Sequence, residues 1–292
     1  MLSPGDHQRS FDFDGRSRTY LVHVPPSYDA SKAAPLVLVL HGGGTNAKTM
    51  VRFCSLDETA DREGFVAVYP SGTGRNPNWL TWNAGSCCGD AMRQNIDDVG
   101  FIRALLDDLA GVAEIDVDRV YATGMSNGGM MAYRLASELS DRIAAIAAVS
   151  GPVATDTCRP TRPVSILHFH GTADEFTPYA GGRGPKSLMQ TEFRSVDSSV
   201  RCWIEANGCP PGAAETVISE TGGALAIERR CWSPGEEGSE VVLYTIHGGG
   251  HTWPGRIPLA DYLGPAATAI SANDIIWEFF QRHSRRPPNT ES

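Results

Sequence analysis

The chain has 292 residues, 41% of them hydrophobic and 20% charged, a make-up that supplies an ample core and excludes whole-chain disorder. That length suits one large domain, or two of about 150 residues each. Twenty-five Lys and Arg against 34 Asp and Glu leave a net charge of −9, so no electrostatic footprint for nucleic acid or an anionic membrane surface is present.

In chain order, residues 16–24 alternate in part and end at Pro25-Pro26, which reads as a strand running into a turn. Residues 35–40 (Pro-Leu-Val-Leu-Val-Leu) are apolar without alternation, as a strand buried on both faces should be. Residues 65–69 read as the next strand. The stretch 45–63 between them reads as helical and too short for two full helices. A polar loop carrying Trp79, Trp82 and Cys87-Cys88 spans 71–93. Ile96, Val99, Phe101, Ile102, Leu105, Leu106 and Leu109 then recur at helical spacing, predicting an amphipathic helix over 96–110. Strands are predicted over 119–123, 143–149, 164–169 and 240–246, with a helix over 130–139. A last helix starts near Ser271, where Asp274 completes a capping-box-like pair. The longest aliphatic stretches, 36–40 and 143–149, fall far short of the ~20 residues of a membrane helix.

Strands alternating with helices predict an α/β fold with one open, mostly parallel sheet covered on both faces. The expected domain runs over 7–284, with 175–238 as an insertion over the active site and 285–292 as a disordered tail. Seven cysteines (54, 87, 88, 158, 202, 209 and 231) show no zinc-type CxxC pair. Disulfides explain them better and favour an oxidising compartment, hence a secreted or periplasmic protein. The first residues lack the layout of a signal peptide, so secretion implies a leader already removed.

The chemistry-bearing segment is Gly124-Met125-Ser126-Asn127-Gly128. This G-x-S-x-G pentapeptide falls directly after a predicted strand and before a predicted helix, the context of a nucleophile elbow. A serine hydroxyl needs a base, and the base needs an orienting acid. The order in such sheets is serine, acid, histidine. His251 follows strand 240–246 across Gly248-Gly249-Gly250 and is the expected base, with His247 as the fallback. His283 reads as a surface residue. His168 and His170 face one side of their strand, but a metal there lacks a third ligand, and no metal or cofactor is expected. Asp174 follows strand 164–169 and is the expected acid. Asp97 and Asp98 read as charges favouring a helix N-terminus. Strand 35–40 ends in His41-Gly42-Gly43-Gly44, whose backbone N–H groups suit an oxyanion hole. The expected donors are the N–H groups of Asn127 and of Gly43 or Gly44, with His41 bracing the loop.

The chain resembles the esterases of the polyhydroxybutyrate depolymerase family, which overlap with the feruloyl esterases of carbohydrate esterase family one. The resemblance covers about 18–281. It rests on Leu40-His41-Gly42-Gly43-Gly44, Trp82-Asn83-Ala84-Gly85 with Cys87-Cys88-Gly89, and Asp97-Asp98-Val99-Gly100-Phe101. It continues through the pentapeptide at Ser126, His170-Gly171-Thr172-Ala173-Asp174 and Gly249-Gly250-His251-Thr252-Trp253-Pro254-Gly255. It implies an α/β-hydrolase fold with a sheet of eight or nine strands, a Ser126–Asp174–His251 triad, secretion, and a Cys209–Cys231 bridge. For Cys87-Cys88 a vicinal bridge, two thiols and separate partners stay open.

Trp82, Trp253, Tyr179 and Phe176, with Trp79, are the expected substrate-binding residues, while Trp203, Trp232 and Trp277 read as packing. Aromatic walls suit a hydroxycinnamoyl group and equally an aliphatic hydroxyalkanoate. The first expectation is a serine carboxylesterase acting on feruloyl esters of plant cell-wall polysaccharide. The alternatives are a polyhydroxybutyrate or oligo-hydroxyalkanoate depolymerase and an acetyl or short-chain esterase. The expected partner is therefore the ester itself, a hydroxycinnamoylated oligosaccharide or an aliphatic polyester oligomer.

Overall fold

The segments read as buried strands line up in one sheet. The computed structural model describes residues 1–187, 191–213, 215–219 and 225–286. The chain begins with a hairpin of β1 (Gly5–Phe13) and β2 (Arg16–Val24). Asp14 and Gly15, both at positive φ, form its two-residue turn, the D-G signal of a tight hairpin. β1 carries no strand signal in the sequence because it is an edge strand whose half-buried face holds His7 and Arg9 beside Phe11 and Phe13.

β3 (Ala34–Leu40) is buried along its whole length. The next stretch forms two eight-residue helices, α1 (Ala47–Cys54) and α2 (Leu56–Glu63), against the expectation that it is too short for two. Ser55, at φ 47°, breaks the helix between them, so each half packs at its own angle.

β4 (Val66–Pro70) follows, then a hairpin of β5 (Thr73–Asn76) and β6 (Trp79–Thr81). α3 (Gly89–Arg93) and α4 (Asp98–Ala110) lead to β7 (Ile115–Met125) and α5 (Asn127–Glu138). The region read as a loop over 71–93 therefore holds a hairpin and a short helix. β8 (Ala145–Val149), β9 (Ser165–Gly171) and α6 (Val196–Ala206) come next. The chain closes with β10 (Glu215–Ser219), β11 (Ile227–Trp232), β12 (Val241–Ile246) and α7 (Ala272–Gln281). The Ser271 hydroxyl accepts from the Asp274 N–H at 3.3 Å, capping α7 as its sequence predicts.

The strand order is β1-β2-β4-β3-β7-β8-β9-β12-β11-β10. Six central strands, β4 to β12 in that order, run parallel. Two antiparallel strands complete each side, so the sheet has ten strands where eight or nine were expected. One face packs on α1, α2 and α7, the other on α4, α5 and α6. This is the α/β-hydrolase arrangement.

Among the described residues of the expected insertion, those that rim the cleft described below fall in its early part. α6 packs on a sheet face, and β11 and β10 extend the sheet beyond β12. In the expected tail, Arg285 pairs with Asp118 at 3.0 Å; residues 287–292 lie outside the described residues. Cys87 is bonded to Cys88 and Cys158 to Cys202. Cys209 and Cys231 are buried thiols, in contrast to the bridge implied by the family resemblance. The Cys231 sulfur lies instead 3.5 Å from Glu240 Oε2.

Candidate active site

Four loops leave the carboxyl ends of the parallel strands β3, β7, β9 and β12, and these carry the expected chemistry, as open α/β sheets require. Ser126 sits between β7 and α5 at φ 55° and ψ −121°, a conformation that costs a non-glycine residue about 1–3 kcal/mol and clusters at functional sites. The turn is tight because Gly128 packs onto the end of β3. A Cβ there would lie 2.1 Å from the Leu40 carbonyl oxygen, so only glycine fits.

Asp174 and His251 meet although 77 residues separate them: His251 Nδ1 lies 2.7 Å from Asp174 Oδ2. The two loops are strapped together, with the Ala173 N–H donating to the Gly249 carbonyl at 2.9 Å. A Cβ on Gly171 would come within 2.2 Å of that same carbonyl oxygen. The other carboxylate oxygen of Asp174 accepts from the backbone N–H groups of Phe176 at 2.8 Å and Thr177 at 2.9 Å. Burial works to raise the Asp174 pKa, but the charge of His251, its hydrogen bond and the Thr177 N–H outweigh it and hold the carboxyl at about 2. An ionised Asp174 can only accept, so the His251 proton sits on Nδ1 and the Nε2 lone pair is left to act as a base.

Ser126 and His251 line one cleft of about 650 Å3. Gly43 and Asn127 line it as well, and a Cβ on Gly43 would lie 3.5 Å from that of Asn127. Between the two candidate glycine donors the structure distinguishes. The Gly44 N–H is spent on the Leu80 carbonyl of β6 at 2.8 Å, while the N–H groups of Gly43 and Asn127 have no acceptor among the described residues.

His41 donates from Nδ1 to the Gly42 carbonyl at 2.8 Å and accepts at Nε2 from the Gly72 N–H at 3.0 Å. Burial, aided by the charge of Arg18 and opposed by the Gly42 bond, lowers its pKa to about 4, so it braces the loop as a neutral ring. His168 and His170 form a buried chain from the Tyr133 hydroxyl (2.9 Å), through each other (3.0 Å), to the Thr177 carbonyl (2.7 Å). That carbonyl accepts only, so His170 donates from Nε2, His168 donates to His170 Nδ1, and Tyr133 donates to His168. Burial pushes both rings toward the neutral form. His247 faces Glu228 at 3.3 Å, and the His283 ring is tied to Glu240 at 3.0 Å rather than free at the surface.

Of the expected substrate-binding residues, Phe176 lines the cleft and stacks on His251. Trp82, Trp253 and Tyr179 do not line it. Trp82 is 0% exposed beneath the His41–Gly44 loop, and Trp253 is 1% exposed with its indole donating to Asn273. Both large rings are drawn into the core, each satisfying its single polar atom there. The Tyr179 hydroxyl is bound to Thr245 at 3.0 Å and Arg230 at 3.1 Å. Trp79 lines the cleft as expected, and Phe53, Phe193 and Tyr262 complete its aromatic lining. Phe53 extends the apolar run of an amphipathic helix, and Tyr262 carries no local signal. Asp98, read as a helix-end charge, is buried and bridges Arg18 at 2.7 Å and the Asn83 N–H at 2.8 Å. Asp97 is the cap, accepting from the Gly100 N–H at 2.8 Å.

A sequence-family model described as esterase PHB depolymerase matches residues 18–173. The chain belongs to this family. Its relatives include a protein described as putative esterase NocK of Nocardia uniformis subsp. tsuyamanensis, 36% identical over 258 residues that cover 82% of this chain and 72% of that one. Feruloyl esterase B of Piromyces equi is 31% identical over 80% of this chain, but only 42% of its own length is spanned. Among solved structures, an acetyl xylan esterase from Aspergillus awamori superposes with a TM-score of 0.64 at 15% identity, over 94% of this chain and 99% of that one. That last likeness speaks for the fold. As a member of the esterase PHB depolymerase family the chain is a carboxylic ester hydrolase. No helix among the described residues is long and apolar enough to cross a membrane.

Proposed function

We propose that Ser126, His251 and Asp174 are the catalytic triad of this esterase, with the N–H groups of Gly43 and Asn127 as the oxyanion hole. The observation that carries this reading is the ionised, fourfold-bonded Asp174 fixing the His251 tautomer in the cleft that Ser126 enters from a strained turn. His251 Nε2 takes the Ser126 proton as Oγ attacks the ester carbonyl. The carbonyl electrons move to oxygen, held by the two N–H groups. His251⁺ then gives its proton to the departing alkoxide as the C–O bond breaks. Water, deprotonated by His251, attacks the acyl-enzyme in the same way and releases the acid and free Ser126. One oxyanion donor of this kind is worth about 3–4 kcal/mol.

The substrate we infer is a hydroxycinnamate ester of plant cell-wall polysaccharide. Phe53, Trp79, Phe176, Phe193 and Tyr262 line the cleft, a set suited to a flat aryl group, and several relatives are named feruloyl esterases. A hydroxyalkanoate oligomer is the second reading, favoured by Met50, Met130 and Leu259 in the same walls. The Cys158–Cys202 disulfide supports an oxidising, secreted or periplasmic setting. Initial rates on methyl ferulate and a 3-hydroxybutyrate trimer, with Ser126→Ala as the blank, test both parts. Retained turnover in Ser126→Ala refutes the triad. A tenfold preference for the trimer, about 1.4 kcal/mol of transition-state discrimination, refutes the aromatic acyl group.

A further inference from the structure

Trp82 looks from its sequence like a wall of the substrate cleft, yet it is buried and touches both loops that would hold the oxyanion. Its backbone N–H donates to Asn127 Oδ1 at 2.7 Å, and its carbonyl accepts from Asn127 Nδ2 at 3.1 Å. The Asn127 side chain therefore pairs with one peptide much as a neighbouring strand would, which fixes its rotamer. The Trp82 indole N–H donates to the His41 carbonyl at 3.0 Å, orienting the peptide that leads into Gly42 and Gly43. The His41 ring packs on the indole with centroids 5.0 Å apart.

Trp82 is itself held from behind. Its carbonyl also accepts from the Cys88 N–H at 3.0 Å. The adjoining residue, Asn83, donates its N–H to the buried Asp98 at 2.8 Å and offers its carbonyl to Arg134 at 2.6 Å. Asp98 is in turn anchored by Arg18 at 2.7 Å.

The structure assigns Trp82 as a positioning residue that sets the spacing between the two oxyanion donors, Gly43 N–H and Asn127 N–H. It grips the Asn127 side chain through its backbone and the His41–Gly42 peptide through its indole, so a shift of either loop strains a shared hydrogen-bonded hub. Donors aimed at developing charge act through their placement, and a displacement of an ångström is costly. Trp82 touches no reacting atom and acts wholly through these two loops. The inference rests on the assignment of Gly43 and Asn127 as donors.

The test compares Trp82→Phe with the wild type on a matched ester and thionoester, the same compound with C=O replaced by C=S. Sulfur accepts hydrogen bonds poorly, so the ratio of the two kcat/KM values reports how well the donors are aimed and does not depend on the fraction of enzyme folded. Trp82→Phe keeps an aromatic ring at the position but loses the fused pyrrole ring together with its N–H. The expected result is an ester-to-thionoester ratio lowered about tenfold, with KM for the ester little changed. A lower kcat with the ratio unchanged overturns the inference, because it marks a residue that supports folding alone. A wild type without a thiono effect overturns the donor assignment instead. If Trp82→Phe does not fold, 3-benzothienylalanine at position 82, which replaces the N–H by sulfur in the same shape, gives the same readout.

Discussion

The ring of Phe176 lies on the imidazole of His251, with centroids 4.9 Å and planes 28° apart, while its backbone N–H donates to Asp174 Oδ1 at 2.8 Å. One residue thus holds Asp174 with its main chain and His251 with its side chain. The ring also faces the cleft and leans on Tyr262 with centroids 6.1 Å apart. Replacing it with alanine keeps the N–H and removes the stack, which is worth about 0.5–1.5 kcal/mol. Phe176→Ala should lower kcat/KM on methyl ferulate about tenfold, and less on an aliphatic acetyl ester, where only the support of His251 is lost. Equal losses on both esters would limit the ring to holding His251.

Gly171 ends β9 directly against the Gly249 carbonyl, and no Cβ fits there. Gly171→Ala must push the acid loop away from the histidine loop. The cost in stability should be about 1–3 kcal/mol, as for other overpacked sites. The Asp174–His251 contact should open as well, lowering kcat of the folded enzyme about a hundredfold. Urea melts together with active-site titration separate the two effects; unchanged kcat per titrated site contradicts the strap.

Acid should weaken the fold in two stages. His41 is held at about 4, below its ordinary 6.5, so between those values the unfolded chain binds a proton that the native chain refuses. Stability then rises with pH, is complete above about 6.5, and falls as pH drops toward 4. The contribution of His41 is about 3 kcal/mol, and the lowered His168 and His170 act in the same direction. Asp174 has the opposite charge type with its pKa depressed to about 2. Its stabilisation is present above its ordinary value of 3.8 and is lost as pH falls toward 2. Unfolding free energies measured from pH 7 to 3 should decline from about 6.5 downward, and His41→Gln should flatten the upper limb. An unchanged slope in that variant refutes the account.

The Arg18–Asp98 pair is buried, its side chains 4% and 0% exposed. The Arg18 guanidinium lies 3.7 Å above the Phe101 ring. Burial lowers the pKa of Arg18 and raises that of Asp98, each opposed by the other's charge. Asp98→Asn leaves a buried cation without its partner and should destabilise by about 3–5 kcal/mol. Arg18→Met in the same chain should recover part of the loss, because it removes the stranded charge. Denaturant melts of the single and double variants measure both, and a double variant no better than Asp98→Asn contradicts the pairing argument.

Local patterns carried much of this protein in its sequence. Short, unbroken apolar runs such as 36–40, rich in Val and bounded by turn residues, suit strands buried on both faces, so the mostly parallel sheet was legible. The elbow at Ser126 and the loops bearing Asp174 and His251 each follow such a run within a few residues, so their shared edge could be read off. The expected triad residues owe their legibility to that adjacency. β1 is only half-buried on one face, which mixes His7 and Arg9 with Phe11 and Phe13, and its pairing with β2 shows only once both strands are present.

Tertiary structure decided what depends on contacts between distant segments. Gly43 and Gly44 look alike in the chain, and only the docking of β6 takes the Gly44 N–H for Leu80. An aromatic residue in a loop is drawn equally to a core and to a substrate wall, since burial of its ring is favourable in either place. Trp82 and Trp253 went inward because the His41 carbonyl and Asn273 offered partners for their indole N–H groups, while Trp79 stayed at the rim against Gly44. Asp97 and Asp98 are adjacent in sequence, and their opposite fates follow from Arg18, 80 residues before Asp98, reaching only one of them. Strand and turn signals are local and survive in the sequence. Which polar atom finds which distant partner is settled when the sheet closes and the loops over its edge compete for the same hydrogen bonds.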